Sequence, residues 1–269
     1  MFGDNMTTPA TPERVYALCK LVEKGPQTVK DLQEKMEPSY LSQTTRYFAD
    51  YKNTAEELGL ILTADNTVSL AADRKVFRST DTMRGYINGK LYEFRDGMFG
   101  RTTRAVFGLD WTTLCAKCAA GGKGLTIISP ELQDYIKEKA GAKVDAMAMR
   151  AWRFWAPFLG LGYMQEMFFI PNAYVFLKDI LSCTDFKRKE RITFDSFMER
   201  LMPFCLMLIT EDDRAARTLN YGVSSGLRML HDVGAVKLEH IMDQQDTWRL
   251  YPMQTHPVSG RVSHITVLK

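Results

Sequence analysis

Cys115-Ala116-Lys117-Cys118 is the pattern in this sequence that comes nearest to metal or redox chemistry. Two thiolates at that spacing can fill half of a tetrahedral zinc site, but a structural zinc needs two further Cys or His at matching spacing. None follows nearby, and the pair reads as one packed and one incidental thiol on a helix, with no metal and no cofactor expected. Residues 119–124, AAGGKG, resemble a phosphate loop in composition but lack the GxxxxGK[ST] order and a preceding buried strand, so they read as a connector. The histidines, His231, His240, His256 and His264, form neither an HExxH nor an HxH pattern, and there is no GxSxG elbow. The carboxylate pairs Glu56-Glu57 and Asp212-Asp213 fall on expected helix surface or loop. The sequence gives no support for catalysis, and the expectation is a protein that is not an enzyme.

Residues suited to nucleic acid are better represented. Ser39, Tyr40, Ser42, Gln43 and Arg46, with Tyr47, crowd the expected start and exposed side of one helix. Such side chains reach phosphates and base edges, Gln towards adenine and Arg towards guanine. Asn220, Tyr221, Ser224, Ser225 and Arg228 form a corresponding set near the C-terminus. Lys187, Arg188 and Lys189, with Arg191, are the densest basic run and could grip phosphate or form a solvated linker. The aromatic cluster Trp152, Trp155, Phe158, Tyr163, Phe168 and Phe169 could stack bases, yet its helical spacing favours core or a partner interface. Met164, Met167, Met198, Met202, Met207 and Met229 add adaptable packing.

These residues need elements to hold them. With 269 residues the chain has room for two or three small modules. At 45% hydrophobic and 25% charged residues it can build a core, which argues against disorder. No uncharged apolar stretch approaches the roughly 18–20 residues of a membrane span, and the opening MFGDNMTTPATPER lacks a signal-peptide pattern, so a cytoplasmic protein with no membrane contact is expected. Five cysteines, an odd number mostly inside apolar runs, argue against a disulfide framework. Net charge is +3, distributed as −1 over residues 1–100, +3 over 101–180 and +1 over 181–269, a balance that neither demands nor excludes nucleic acid.

Val15, Leu18, Cys19 and Val22 repeat at helical spacing until Gly25-Pro26 must stop the helix. Thr28 caps a short second helix with Val29, Leu32 and Met36 inward. After Pro38-Ser39 a third helix places Leu41, Phe48, Ala55 and Leu58 on one stripe and closes at Gly59. Leu60-Ile61-Leu62, the turn Asp65-Asn66, and Val68 with Leu70 then predict a hairpin. The same grammar returns late in the chain. Thr193 caps a helix with Phe194, Phe197, Met198 and Leu201 inward, residues 218–230 supply another, and Val236 and Leu238 alternate before a polar turn and a return through Trp248 and Leu250. Gly222 and Gly226 weaken that later helix by about 1 kcal/mol each unless close packing repays it. Between these ends, residues 80–96 predict a helix with Met83, Tyr86, Ile87 and Leu91 inward. Residues 109–119 predict another, Ser129-Pro130-Glu131 starts a third, and a long apolar-aromatic segment runs from Val144 to Leu181.

Three helices, the middle one short, followed by a hairpin resemble a winged helix-turn-helix. The expected fold is mainly α with small β-hairpins, an α+β arrangement of tandem winged-helix modules. It divides into a flexible leader over 1–11, an N-terminal winged helix over 12–79, a central helical or degenerate winged-helix domain over 80–184, a C-terminal winged helix over 185–255, and a tail over 256–269. Five motifs, GPQTVKDLQEKMEPS, FGLDWTTLCAKC, FLGLG, FFIPNAYVFLKDIL and ITFDSFMERLMPF, resemble in order the DpdG-like proteins of bacterial phage-defence islands that accompany 7-deazaguanine DNA modification. That resemblance implies a non-catalytic accessory component of a DNA restriction system, with no catalytic residue to carry over. The expectation is therefore an antiviral-defence or DNA-processing adaptor that contacts double-stranded DNA and protein subunits. Two other readings stay open: a scaffold similar to the tandem winged-helix subunits of chromosome-organising ATPases, and a winged-helix transcriptional regulator or replication initiator. A homodimer is compatible with each.

Overall fold

The computed structural model describes residues 1–41, 47–109, 130–140, 144–165, 168–242, 244, 246–258 and 260–268. The chain folds as a mainly helical α+β protein with small antiparallel sheets. Thr11, Thr28, Ser79, Asp145, Thr193, Thr210 and Asn220 each begin a helix by accepting a hydrogen bond from the N–H three residues on. This satisfies donors that a helix start would otherwise leave free.

The N-terminal unit comprises α1 (Pro12–Val22), β1 (Gln27–Thr28), α2 (Val29–Met36), α3 (Phe48–Glu57), β2 (Ile61–Ala64) and β3 (Thr67–Leu70). Asp65 and Asn66 both take positive φ, 49° and 61°, the geometry of a two-residue hairpin turn, so β2 pairs with β3 from Ala64 opposite Thr67 to Ile61 opposite Leu70. β1 adds to the other side of β3, giving the order β1-β3-β2. The third helix departs from expectation: α3 begins at Phe48, and Leu41 is exposed rather than inward. The Glu37 carboxylate accepts from the N–H groups of Tyr47 (2.9 Å) and Phe48 (3.3 Å), a cap contributed from ten residues upstream that spacing alone does not reveal.

Ser79 caps α4 (Thr80–Lys90), which buries Met83 and Ile87 and passes into a 3-10 turn at Leu91–Phe94. α5 (Met98–Phe107) was not anticipated, because its stripe is built partly from Gly100, Thr102 and Thr103. A Cβ at Gly100 would stand 2.4 Å from the Phe94 carbonyl oxygen, so only glycine lets the preceding turn fold back on the helix. The helix expected over 109–119 lies almost wholly outside the described residues. α6 (Pro130–Ala140) starts where Ser129-Pro130 predicts. α7 (Ala146–Phe158) follows from the Asp145 cap, and β4 (Gly162–Gln165) pairs with β5 (Phe168–Pro171).

The C-terminal unit comprises α8 (Tyr174–Cys183), β6 (Glu190–Thr193), α9 (Phe194–Cys205), α10 (Glu211–Ala215), α11 (Tyr221–Asp232), β7 (Val236–Glu239), β8 (Trp248–Arg249), β9 (Arg261–Val262) and β10 (His264–Val267). Its sheet order is β6-β10-β7, again with the last strand central. Here the expected hairpin is corrected. Trp248 faces Val262 in a separate two-stranded ribbon, and β7 pairs with β10, which the sequence reading leaves in a tail. Both strands alternate inward, Val236 and Leu238 against Ile265 and Val267, so burial selects the more distant partner. α8 packs on both α11 and α4, joining the central and C-terminal parts of the chain. α4 is fastened to α8 by Arg84 on Asp179 (2.8 Å), and Asn88 donates to the same carboxylate (2.9 Å) and to the Leu159 carbonyl (3.1 Å).

The leader expected to be loose is packed. Phe2, Met6 and Ala10 are buried, and Glu57 accepts from the N–H groups of Phe2 (2.9 Å) and Gly3 (2.6 Å). Apolar residues four apart hold the segment down, although its average composition is polar.

Close packing also accounts for the two helix glycines. A Cβ at Gly226 would meet Tyr174 N at 2.7 Å and Ala173 C at 2.8 Å, backbone that cannot swing away. Gly226→Ala is expected to destabilise the protein by about 1–3 kcal/mol despite alanine's better helix propensity, measured as a lower urea midpoint. A midpoint at or above wild type would show that α8 and α11 are not in this contact.

Candidate nucleic-acid interface

α3, α7 and α11 each lead directly into a strand, β2, β4 and β7, and the three helices differ in what they leave open. On α3 the exposed positions are Ala49 and Asn53, while Lys52 is spent on Glu56 (2.7 Å). Ser39 and Tyr40 precede the helix in a turn. Ser39 donates from its N–H (2.8 Å) and hydroxyl (2.9 Å) to Glu34, and Tyr40 is 81% exposed. Ser42, Gln43 and Arg46 lie outside the described residues.

α11 is covered, which corrects the expectation of a solvated face. Asn220 caps the helix and donates to the Leu208 carbonyl (2.6 Å), and the Tyr221 ring meets Tyr251 edge-on at 5.4 Å. Ser224 is fully buried, donating to the Leu219 carbonyl (3.2 Å) and accepting from the Tyr251 N–H (2.8 Å). The Ser225 hydroxyl is buried with no hydrogen bond among the described residues. Arg228 is 2% exposed; its Nε donates to the Val258 carbonyl (3.0 Å) and its Nη2 to the Tyr251 carbonyl (2.8 Å). Burial pushes this guanidinium's pKa down. The strap over residues 251–258 is fastened at its far side by His256 on Asp232 (3.0 Å). Arg228 therefore holds the chain's own backbone. Arg228→Ala is expected to cost about 1–3 kcal/mol of stability by leaving those carbonyls without a donor. If the melt is unchanged and DNA binding falls instead, Arg228 belongs to the interface after all.

The basic run is a tight turn rather than a linker. Lys187, Arg188 and Lys189 are exposed, Lys189 takes φ 64°, and its N–H donates to the Val267 carbonyl (2.6 Å). The Lys187 N–H donates to Glu190 (2.7 Å), and Arg200 bridges Asp185 and Glu190, each at 2.9 Å. The Arg200 guanidinium holds the Asp185 carboxyl below the usual carboxylate range. The Lys187 N–H does the same for Glu190, with help from Arg200. Arg191 pairs with Glu239 (3.1 Å). Three carboxylates beside the run offset its charge.

α7 is different. Trp152 and Trp155 are fully buried, as their spacing predicts for core, and Trp152 Nε1 donates to Thr103 Oγ1 (2.9 Å). The opposite side leaves Met147, Arg150 and Phe154 exposed at helical spacing, with Arg153 half-buried beside them. Arg150 makes no ion pair among the described residues. Burial first, and then the neighbouring Arg150 charge, push the Arg153 pKa down. Thr8, Arg150, Arg153, Phe154 and Met164 line a cleft of about 420 Å³ with no carboxylate among them. The sequence reading missed these positions because it weighed this segment by its apolar residues. The available signal was the polar complement of the tryptophan stripe in MAMRAWRFWAPF, inside the most cationic third of the chain.

Among the described residues no cluster of three or more His, Cys, Asp or Glu could hold a metal, and no helix is long and apolar enough to cross a membrane. Cys19 and Cys205 are buried, and burial pushes both thiols up to about 12. Cys115, Cys118 and the 119–124 loop lie outside the described residues. No protein-family model, curated protein or solved structure matches the chain.

Proposed function

We propose that this chain is a non-catalytic cytoplasmic adaptor, built of tandem winged-helix modules, that engages duplex DNA. The carrying observation is the α7 face, a helix running directly into the β4–β5 hairpin, on which Arg150 is exposed and makes no ion pair among the described residues. At both ends a helix, a short strand and further helices lead into a three-stranded sheet whose last strand is central, which supports the winged-helix reading. The motif resemblance to DpdG-like proteins favours service in an anti-phage defence or DNA-processing assembly. A scaffold role remains the second reading, favoured by the covered α11 and by the exposed Met147 and Phe154.

Fluorescence anisotropy with random-sequence duplex, across about 50 to 200 mM salt, separates the two. Binding is expected at low salt, with log affinity falling linearly against log salt at a slope of about −0.9 for each phosphate neutralised. No binding at the low end would remove the DNA reading and leave the scaffold.

A further inference from the structure

Lys187, Arg188 and Lys189 stand in solvent at the turn between α8 and β6, and the side chains of all three make no ion pair among the described residues. The backbone beneath them is fixed. The Lys187 carbonyl accepts from the Glu190 N–H (3.0 Å), the Lys187 N–H donates to the Glu190 carboxylate (2.7 Å), and the Lys189 N–H reaches the Val267 carbonyl of β10 (2.6 Å). A turn tied down in this way presents its cations with little backbone freedom left to lose on binding.

The three carboxylates beside the turn, which offset its charge in part, are themselves matched by other cations. Arg200 takes Asp185 and Glu190 at 2.9 Å each and lies over the Phe186 ring, 3.8 Å from its centroid. Glu239 holds Arg191 (3.1 Å) and Lys237 (3.0 Å). Arg200, Arg191 and Lys237 thus balance Asp185, Glu190 and Glu239, and the excess positive charge of this corner is that of the turn itself. Three successive cations, two ammonium groups and one guanidinium fork, suit a row of phosphate oxygens.

We propose that the 187–189 turn grips the phosphate backbone of duplex DNA as a second contact, separate from α7 and indifferent to base sequence. The inference rests on the DNA reading above and deepens it: one duplex is held at two places on the chain, and at the turn the driving force is counterion release.

The test is anisotropy with a random-sequence duplex across about 50 to 200 mM salt. Lys187→Gln, Arg188→Gln and Lys189→Asn are combined in one variant, with asparagine at 189 because the φ of 64° there is one that it tolerates. No side-chain ion pair is lost, so a melt equal to wild type is expected. Affinity at the low-salt end is expected to fall about tenfold, and the slope of log affinity against log salt to become shallower by about 2.7, or 0.9 for each of three phosphates. Asp185→Asn moves the other way: this side chain is 94% exposed, and removing its charge is expected to strengthen low-salt binding about twofold. Unchanged affinity and slope in the folded triple variant overturn the inference and leave α7 in place. Should the triple variant melt early, Asp185→Asn decides alone, and no gain in binding overturns the inference. Vesicles of phosphatidylserine in phosphatidylcholine are the second probe: wild-type binding to them that the triple variant loses, with duplex binding unaffected, assigns the turn to a lipid surface and overturns the inference. A wild-type protein that binds no duplex removes the DNA reading together with it.

Discussion

Reversing both arginines of the α7 face, Arg150→Glu with Arg153→Glu, is expected to lower duplex affinity by about a hundredfold at low salt and to flatten the salt dependence. Each arginine–phosphate contact is a charge-assisted hydrogen bond, and losing two of them, with two carboxylates put in their place, amounts to about 3 kcal/mol. The slope of log affinity against log salt should become shallower by about 2, since two phosphates no longer release counterions. The fold is expected to survive. Arg150 is exposed and makes no ion pair among the described residues, and burial and the neighbouring Arg150 both disfavour the charge on Arg153. Anisotropy with a parallel thermal melt decides the matter: affinity and slope equal to wild type in a folded double variant would take α7 out of the interface.

The weight on α7 comes from comparing three helices that each lead directly into a strand. The α3 surface presents Ala49 and Asn53 with its lysine already paired, so it offers a phosphate little charge. The α11 surface is closed by the 251–258 strap, and opening it would strip donors from the Tyr251 and Val258 carbonyls at once. Of these helices only α7, among the described residues, combines an exposed arginine that makes no ion pair there, Arg150, with a neighbouring hairpin whose Tyr163 is also exposed. Occlusion at one end and neutralisation at the other also explain how a chain of net charge +3 can still direct a basic face outward in its middle third.

Local grammar carried much of the fold into the sequence. Thr28, Thr193 and Asn220 cap helices because a short acceptor at that place is enough, and Asp65-Asn66 makes its turn for reasons confined to two residues. What was not legible depends on distance along the chain. Glu37 caps α3 from ten residues away, Ile265 and Val267 reach back to β7 across a long excursion, and Phe2, Met6 and Ala10 find their places only once α5 and α7 exist. The site followed the same division. Spacing identified Arg228 as lying on one helix face, but whether that face meets water or the chain's own backbone is set by the strap. Arg150 was hidden among the apolar residues around it, whose burial turns it outward.

Trp155→Ala is expected to be the most damaging single change to the fold, at about 4 kcal/mol, with the melting temperature lower by roughly 10 °C. The side chain is fully buried; its ring stands edge-on to Phe2 with centroids 5.0 Å apart, and Nε1 donates to the Ala10 carbonyl at 2.6 Å. Truncation opens a cavity under α7, leaves a buried carbonyl without its donor, and deprives Phe2 of an aromatic partner in one step. Trp155→Phe keeps the ring contact and loses the donor, so about 1–2 kcal/mol is expected. Combining Trp155→Ala with Phe2→Ala should cost less than the two apart, because they share the contact. Strict additivity in urea unfolding would show that the leader and α7 do not touch. The same contact fixes the leader two residues from Thr8, so a folded Trp155→Phe protein is also expected to bind duplex more weakly than its stability alone implies. The core bond that secures the leader is then part of what shapes the cleft.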